Sequence, residues 1–122
     1  MSDQANSPRK ASADLLVNQL RGLKLVCGIV AKATRAYKSA NKQDSLTQTA
    51  VATAVGGGIT QPQVSQFENG EYIPPNNAEL NALLSECGFD LNSRGGAGYR
   101  NLLIFLRDSA PMIDALPAEL PK

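Results

Sequence analysis

The chain of 122 residues contains no histidine and no tryptophan, two cysteines, and three residues each of phenylalanine and tyrosine. The lack of histidine excludes His-dependent triads, imidazole general bases and His-containing zinc sites. Cys27 and Cys87 are too few for a four-thiolate metal site or a disulfide scaffold, and both read as buried structural thiols. No run approaches the roughly 18 apolar residues of a membrane span. Residues 1–25 do not show a secretion signal's order of charge, apolar block and small-residue cleavage site. A soluble, cytoplasmic, reduced protein is expected. The Gly56–Gly58 run is not followed by the Lys-Ser/Thr of a phosphate loop, and Glu68, Glu71 and Glu79 have no metal-ligand partners around them. No enzyme activity, cofactor or metal site is therefore expected.

Hydrophobic residues make up 43% of the chain and charged ones 19%, enough for a core built mainly of Ala, Leu and Val. The net charge of +1 hides a split. Residues 1–45 carry eight basic groups against three acids, and residues 46–122 carry four against eight, giving +5 and −4. Such asymmetry suits either a polyanionic partner for the basic half or a solvated helix face.

Periodicity indicates helices throughout, with no strand-like alternation. Residues 1–11 read as a flexible arm, and Ser12 as a helix N-cap with Asp14 in the first turn. From Leu15 to Ala40 the wheel gathers Leu15, Leu16, Leu23, Val26, Ile29, Val30, Ala33, Tyr37 and Ala40 into one arc, the expected core side. Arg21, Lys24, Lys32, Arg35, Lys38 and Lys42 form a stripe about 120° wide opposite it, the expected outer side. After a polar connector at 41–45, a short helix runs from Thr47 to Val55 and Gly56–Gly58 turn the chain. Thr60 caps a second short helix reaching Glu68, with Pro62 in its first turn. Asn76 and Glu79 open a further helix whose Leu80, Leu83, Leu84 and Cys87 form a stripe that Gly88 ends. Residues 89–97 read as a loop. A last helix from Tyr99 to Ser109 is apolar nearly all round, and Pro111, Pro117 and Pro121 punctuate a tail with one possible turn at Met112–Leu116.

The stretch from Leu46 to Gly70 carries the functional signal. It reads as two short helices joined by a glycine turn, with Val51, Ala52, Val55, Ile59, Val64 and Phe67 closing the angle between them. The second helix is expected to expose Gln61, Gln63, Ser65 and Gln66. Glutamine pairs a donor with an acceptor at the spacing of the adenine N6/N7 edge in the major groove. The first-turn N–H groups after Thr60 suit a phosphate. A polar solvated surface is the bland alternative.

At Leu46-Thr47-Gln48, Val51-Ala52, Val55-Gly56, Ile59-Thr60, Val64-Ser65 and Phe67-Glu68-Asn69-Gly70, the sequence resembles the Cro/C1-type (lambda-repressor-like, XRE) helix-turn-helix family. The resemblance covers roughly residues 24–90. It implies an all-α, lambda-repressor-like five-helix DNA-binding domain over 12–90, with 91–122 as a helical C-terminal extension. It further implies base readout by Gln61, Gln63, Ser65 and Gln66, and phosphate contacts at Gln48, Thr60 and Asn69, to which Lys38 and Lys42 of the basic stripe are added. Glu68 matches an acid that pairs with a base of the first helix. The expected partner is double-stranded DNA, bound as a homodimer, with Tyr99, Leu102, Ile104, Phe105 and Leu106 as the dimerisation surface. The expected function is a repressor of phage or plasmid type. The alternative is an antitoxin-like module whose C-terminal segment masks a toxin while its helix-turn-helix autoregulates.

Overall fold

The computed structural model describes residues 2–40 and 46–119, with side-chain surroundings for 14–40 and 46–111. Among the described residues there are five helices and no strand: α1 (Ser2–Ala40), α2 (Gln48–Val55), α3 (Gln61–Glu68), α4 (Asn77–Cys87) and α5 (Arg94–Glu119). The described residues are all-α, and α1 and α5 lie against the unit formed by α2 to α4. α1 packs on α3, α4 and α5, while α2 packs on α3 and α4.

The short helices form where their caps dictate. Thr47 accepts the backbone N–H of Ala50 at 3.0 Å, and the Asn76 side chain accepts those of Ala78 and Glu79 at 2.8 and 3.3 Å. Each bond satisfies a donor that the first helical turn leaves without a backbone partner. Between α2 and α3, Gly56, Gly57 and Gly58 have φ of 66°, 61° and 97°, a run of left-handed residues that side chains rarely adopt. The core they enclose joins Cys27 and Ala31 of α1, Val51 and Ala52 of α2, Ile59, Val64 and Phe67 around α3, the Leu80/Leu83/Leu84/Cys87 stripe of α4, and Leu103 and Leu106 of α5.

Three expectations need correction. α1 begins at Ser2, so residues 2–11, expected as an arm, are helical and Ser12 lies inside the helix and not at its N-cap. The segment offers Gln4, Ala5, Arg9, Lys10 and Ala11 as helix formers, and no glycine precedes Gly22. α5 begins at Arg94 inside the expected loop, because Ser93 caps it through its hydroxyl, 3.0 Å from the Gly96 N–H. It then runs through Pro111 and Pro117 to Glu119. Each proline removes one donor, yet residues 107–119 contain no glycine or asparagine at which a helix would end instead.

The third correction is rotational. Leu15, Leu16, Val26, Ile29, Val30 and Tyr37, all of the expected core arc, are exposed. The side facing the core is Leu20, Leu23, Cys27, Ala31, Arg35 and Lys38. Closeness explains the choice. A Cβ on Gly28 would lie 2.5 Å from the Glu68 carbonyl oxygen, so α1 meets the end of α3 backbone to backbone across a face of small residues. That same side brings Arg35 and Lys38 to acceptors that an apolar arc would leave unpaired.

Candidate nucleic-acid interface

α3 is held at its start by a reciprocal pair of bonds. The Thr60 hydroxyl accepts the Gln63 backbone N–H at 3.4 Å, and the Gln63 side-chain oxygen accepts the Thr60 backbone N–H at 3.0 Å. This is a capping box, with Pro62 inside the first turn where its missing N–H leaves no bond unmade. Val64, Phe67 and Glu68 are buried, and Asn69 and Gly70 close the helix on the Ser65 and Phe67 carbonyls.

With that side turned inward, the 100° step per residue directs Pro62, Ser65, Gln66 and Asn69 outward, while Gln61, on the flank beside Ser65, is exposed because it opens the helix. Gln61, Pro62, Gln66 and Asn69 are exposed and Ser65 is half-buried between them. Gln63 is half-buried on the flank, with its amide oxygen engaged in the cap. Of the four residues expected to read bases, the structure therefore brings Gln61, Ser65 and Gln66 onto one surface and assigns Gln63 to the architecture of the helix. Pro62, missed in the sequence reading, shares that surface; projecting the wheel from buried Val64 and Phe67 would have found it.

The outward face is wired to the interior. Gln61 donates its amide to the Gln48 side-chain oxygen at 2.8 Å, and Gln48 donates its own to Glu68 at 2.9 Å. Glu68 is 1% exposed at its side chain and accepts two bonds from the Arg35 guanidinium, at 2.6 and 3.0 Å. Arg35 gives a third bond to the Leu46 carbonyl at 2.9 Å, just before α2. The hydrogen bond to Glu68 is also the main reason why Arg35 holds its proton beyond the ordinary arginine value. One chain of bonds thus fixes α1, the start of α2, the end of α3 and the first side chain of α3 relative to one another. The acid-to-base pairing implied for Glu68 is present, and its partner is Arg35.

Other expected contact residues have mixed placements. Gln48 is half-buried at the first position of α2, and Thr60 is exposed at the N-cap of α3. Lys38, expected on the solvated stripe, instead donates to the Glu86 carbonyl at 3.0 Å and caps the last turn of α4. Lys42 lies outside the described residues. On α5, Leu106 is 2% exposed within the core of the chain itself. Tyr99 stacks on Phe89, with ring centroids 4.5 Å apart, and donates its hydroxyl to the Cys27 carbonyl. Leu102 and Ile104 are half-buried, so Phe105 alone of the five expected dimerisation residues is exposed.

Residues 38–92 match the family described as Helix-turn-helix. This segment belongs to the Cro/C1-type helix-turn-helix family of DNA-binding regulators. Within the helix-turn-helix domain, α2 and α3 are the paired helices and Gly56–Gly58 the turn between them. No curated protein and no solved structure matches the chain. Among the described residues there is no cluster of His, Cys, Asp or Glu that could hold a metal ion, and no helix long and apolar enough to cross a membrane.

Proposed function

We propose that the protein is a sequence-specific repressor that binds a two-fold symmetric operator as a dimer, with α3 in the major groove. The observation that carries this reading is the outward face of α3, where Gln61, Ser65 and Gln66 present uncharged amide and hydroxyl groups from a helix anchored through Gln48, Glu68 and Arg35. Glutamine offers two bonds to adenine N6/N7, whereas a surface built only for solubility would carry charge there. The first-turn N–H groups of Gln48 and Thr49 in α2 and of Gln61 in α3, which the two caps do not take, would hold phosphates and set the register, with Asn69 closing the far end. A pair of bound α3 helices supplies the discrimination that one short helix lacks.

Selection of bound duplexes from a random pool tests this reading. The expected product is a symmetric site whose half-sites are centred about 34 Å apart. A pool that shows no enrichment would remove the sequence-specific function and leave a protein-binding role in its place.

A further inference from the structure

α1 leaves a second face unpartnered by any described element. On it Leu15, Leu16, Leu25, Val26, Ile29 and Val30 are between 38% and 58% exposed. The face has a seam. Leu15, Gly22 and Ile29 recur every seven residues, and so do Val26, Ala33 and Ala40, offset from the first set by four. That spacing keeps a helical stripe facing one partner helix along its whole length, as in a coiled coil.

We infer that this seam pairs with the same seam of a second copy of the chain, the two α1 helices running antiparallel. This names the surface of the dimer proposed above, and rests on that reading only for its consequence on DNA. Size is the first argument. From Leu15 to Ala40 the seam is about 38 Å long. With a contact width of roughly 15 Å on a helix 10–12 Å across, each copy gives on the order of 600 Å² and the pair about 1,200 Å². The pair reaches the lower edge of specific interfaces, and each copy's share is at the upper end of the largest apolar patches that monomers expose.

The second argument is fit. In a parallel pair, Gly22 would face Gly22 and each alanine its own copy, while Leu15 faced Leu15, so thick and thin layers would alternate. In an antiparallel pair with Val26 against the partner's Ile29, Leu15 meets the partner's Ala40 and Gly22 meets the partner's Ala33. Bulky residues then meet alanine away from the centre, and Gly22 lets the helices approach between. Such a two-fold arrangement is isologous, each side using the same residues, which one repeated seam supplies and an unrelated partner would have to match. Among the residues of α5 whose side chains are described, Phe105 is the one exposed large hydrophobic residue.

The test is the mass of the full chain in solution without DNA, by light scattering at tens of micromolar. Wild type should have twice the protomer mass of 12.9 kDa. Val26→Glu/Ile29→Glu changes only exposed positions, so its helical circular dichroism should be kept while its mass halves. Its affinity for a selected two-half-site operator should fall more than tenfold, with single half-site binding unchanged. Orientation is read by oxidation. Leu15→Cys mixed with Ala40→Cys should cross-link, whereas Leu15→Cys alone should not, its two copies lying about 38 Å apart. A monomeric wild type, a double variant that stays dimeric, or loss of the dimer by Phe105→Glu alone would overturn the α1 surface. Self-linking of Leu15→Cys would overturn the antiparallel register. Because mass is measured without DNA, a dimer that binds no DNA refutes the repressor reading and not the seam.

Discussion

Replacing Arg35 by Met should be among the most damaging single changes in the protein, although Arg35 lies on the inner side of α1, away from the outward face of α3. Its guanidinium gives the Glu68 carboxylate two hydrogen bonds, at 2.6 and 3.0 Å, and neutral Gln48 gives it another. The pair is shielded, with 14% of the Arg35 side chain and 1% of the Glu68 side chain exposed, so solvent cannot compensate the stranded carboxylate. Breaking a buried pair from one side costs about 3–5 kcal/mol, most of it the penalty of the remaining charge. A domain of this size has on the order of 5–15 kcal/mol in all, so Arg35→Met should be near the edge of folding at 25 °C. Urea unfolding followed by circular dichroism at 222 nm is the suitable assay, since the chain has no tryptophan. Protein concentration must be held fixed because the proposed dimer would stabilise the folded chain. Adding Glu68→Gln removes the charge while keeping an acceptor for Gln48, and the double variant should regain at least about 1–2 kcal/mol of the loss. An Arg35→Met variant within about 0.5 kcal/mol of wild type, or a double variant no more stable than the single one, would refute the claim that this pair anchors the domain.

Three further outcomes follow from the same packing. Gly28→Ala places a methyl 2.5 Å from the Glu68 carbonyl oxygen and should destabilise by about 1–3 kcal/mol in urea, against a helix-propensity gain of up to about 1. Burial pushes the Cys87 thiol up to about 12 and raises that of Cys27. Both should therefore resist a thiol reagent at pH 8 in the native state and react on unfolding. Above about pH 9 the unfolded thiols lose protons that the native ones keep, so stability should decline with rising pH in that range. Lys38→Met should lower stability by about 0.5–1.5 kcal/mol through loss of the bond to the Glu86 carbonyl, and leave the salt dependence of DNA binding unchanged.

Much of the domain was legible because its signals are local. Thr60 and Asn76 cap their own helices, Gly56–Gly58 turn the chain within three residues, and the Leu80–Cys87 stripe repeats at helical spacing. The orientation of α1 was not legible. The wheel finds its most apolar arc, but the side that packs is chosen by partners far along the chain: Glu68 for Arg35, the Glu86 carbonyl for Lys38, and the end of α3 for Gly28. Gln63 is a different case: its position three residues after Thr60 spells a capping box, and its side-chain oxygen serves that cap, which leaves it half-buried where the sequence suggests an exposed glutamine. Likewise Ser93 was an available cap hidden beside Gly95 and Gly96.

The reading of DNA by the outward face of α3 is tested most directly at Gln66, which is exposed and outside the chain of bonds that anchors α3. Binding of wild type and Gln66→Ala should be compared by fluorescence anisotropy on the selected operator and on a panel carrying every single base-pair change in one half-site. The account predicts that Gln66→Ala weakens operator binding by about 1–3 kcal/mol and flattens the preference at one or two adjacent base pairs, with all other positions discriminated as before. A variant whose preferences match those of wild type across the whole panel would contradict it.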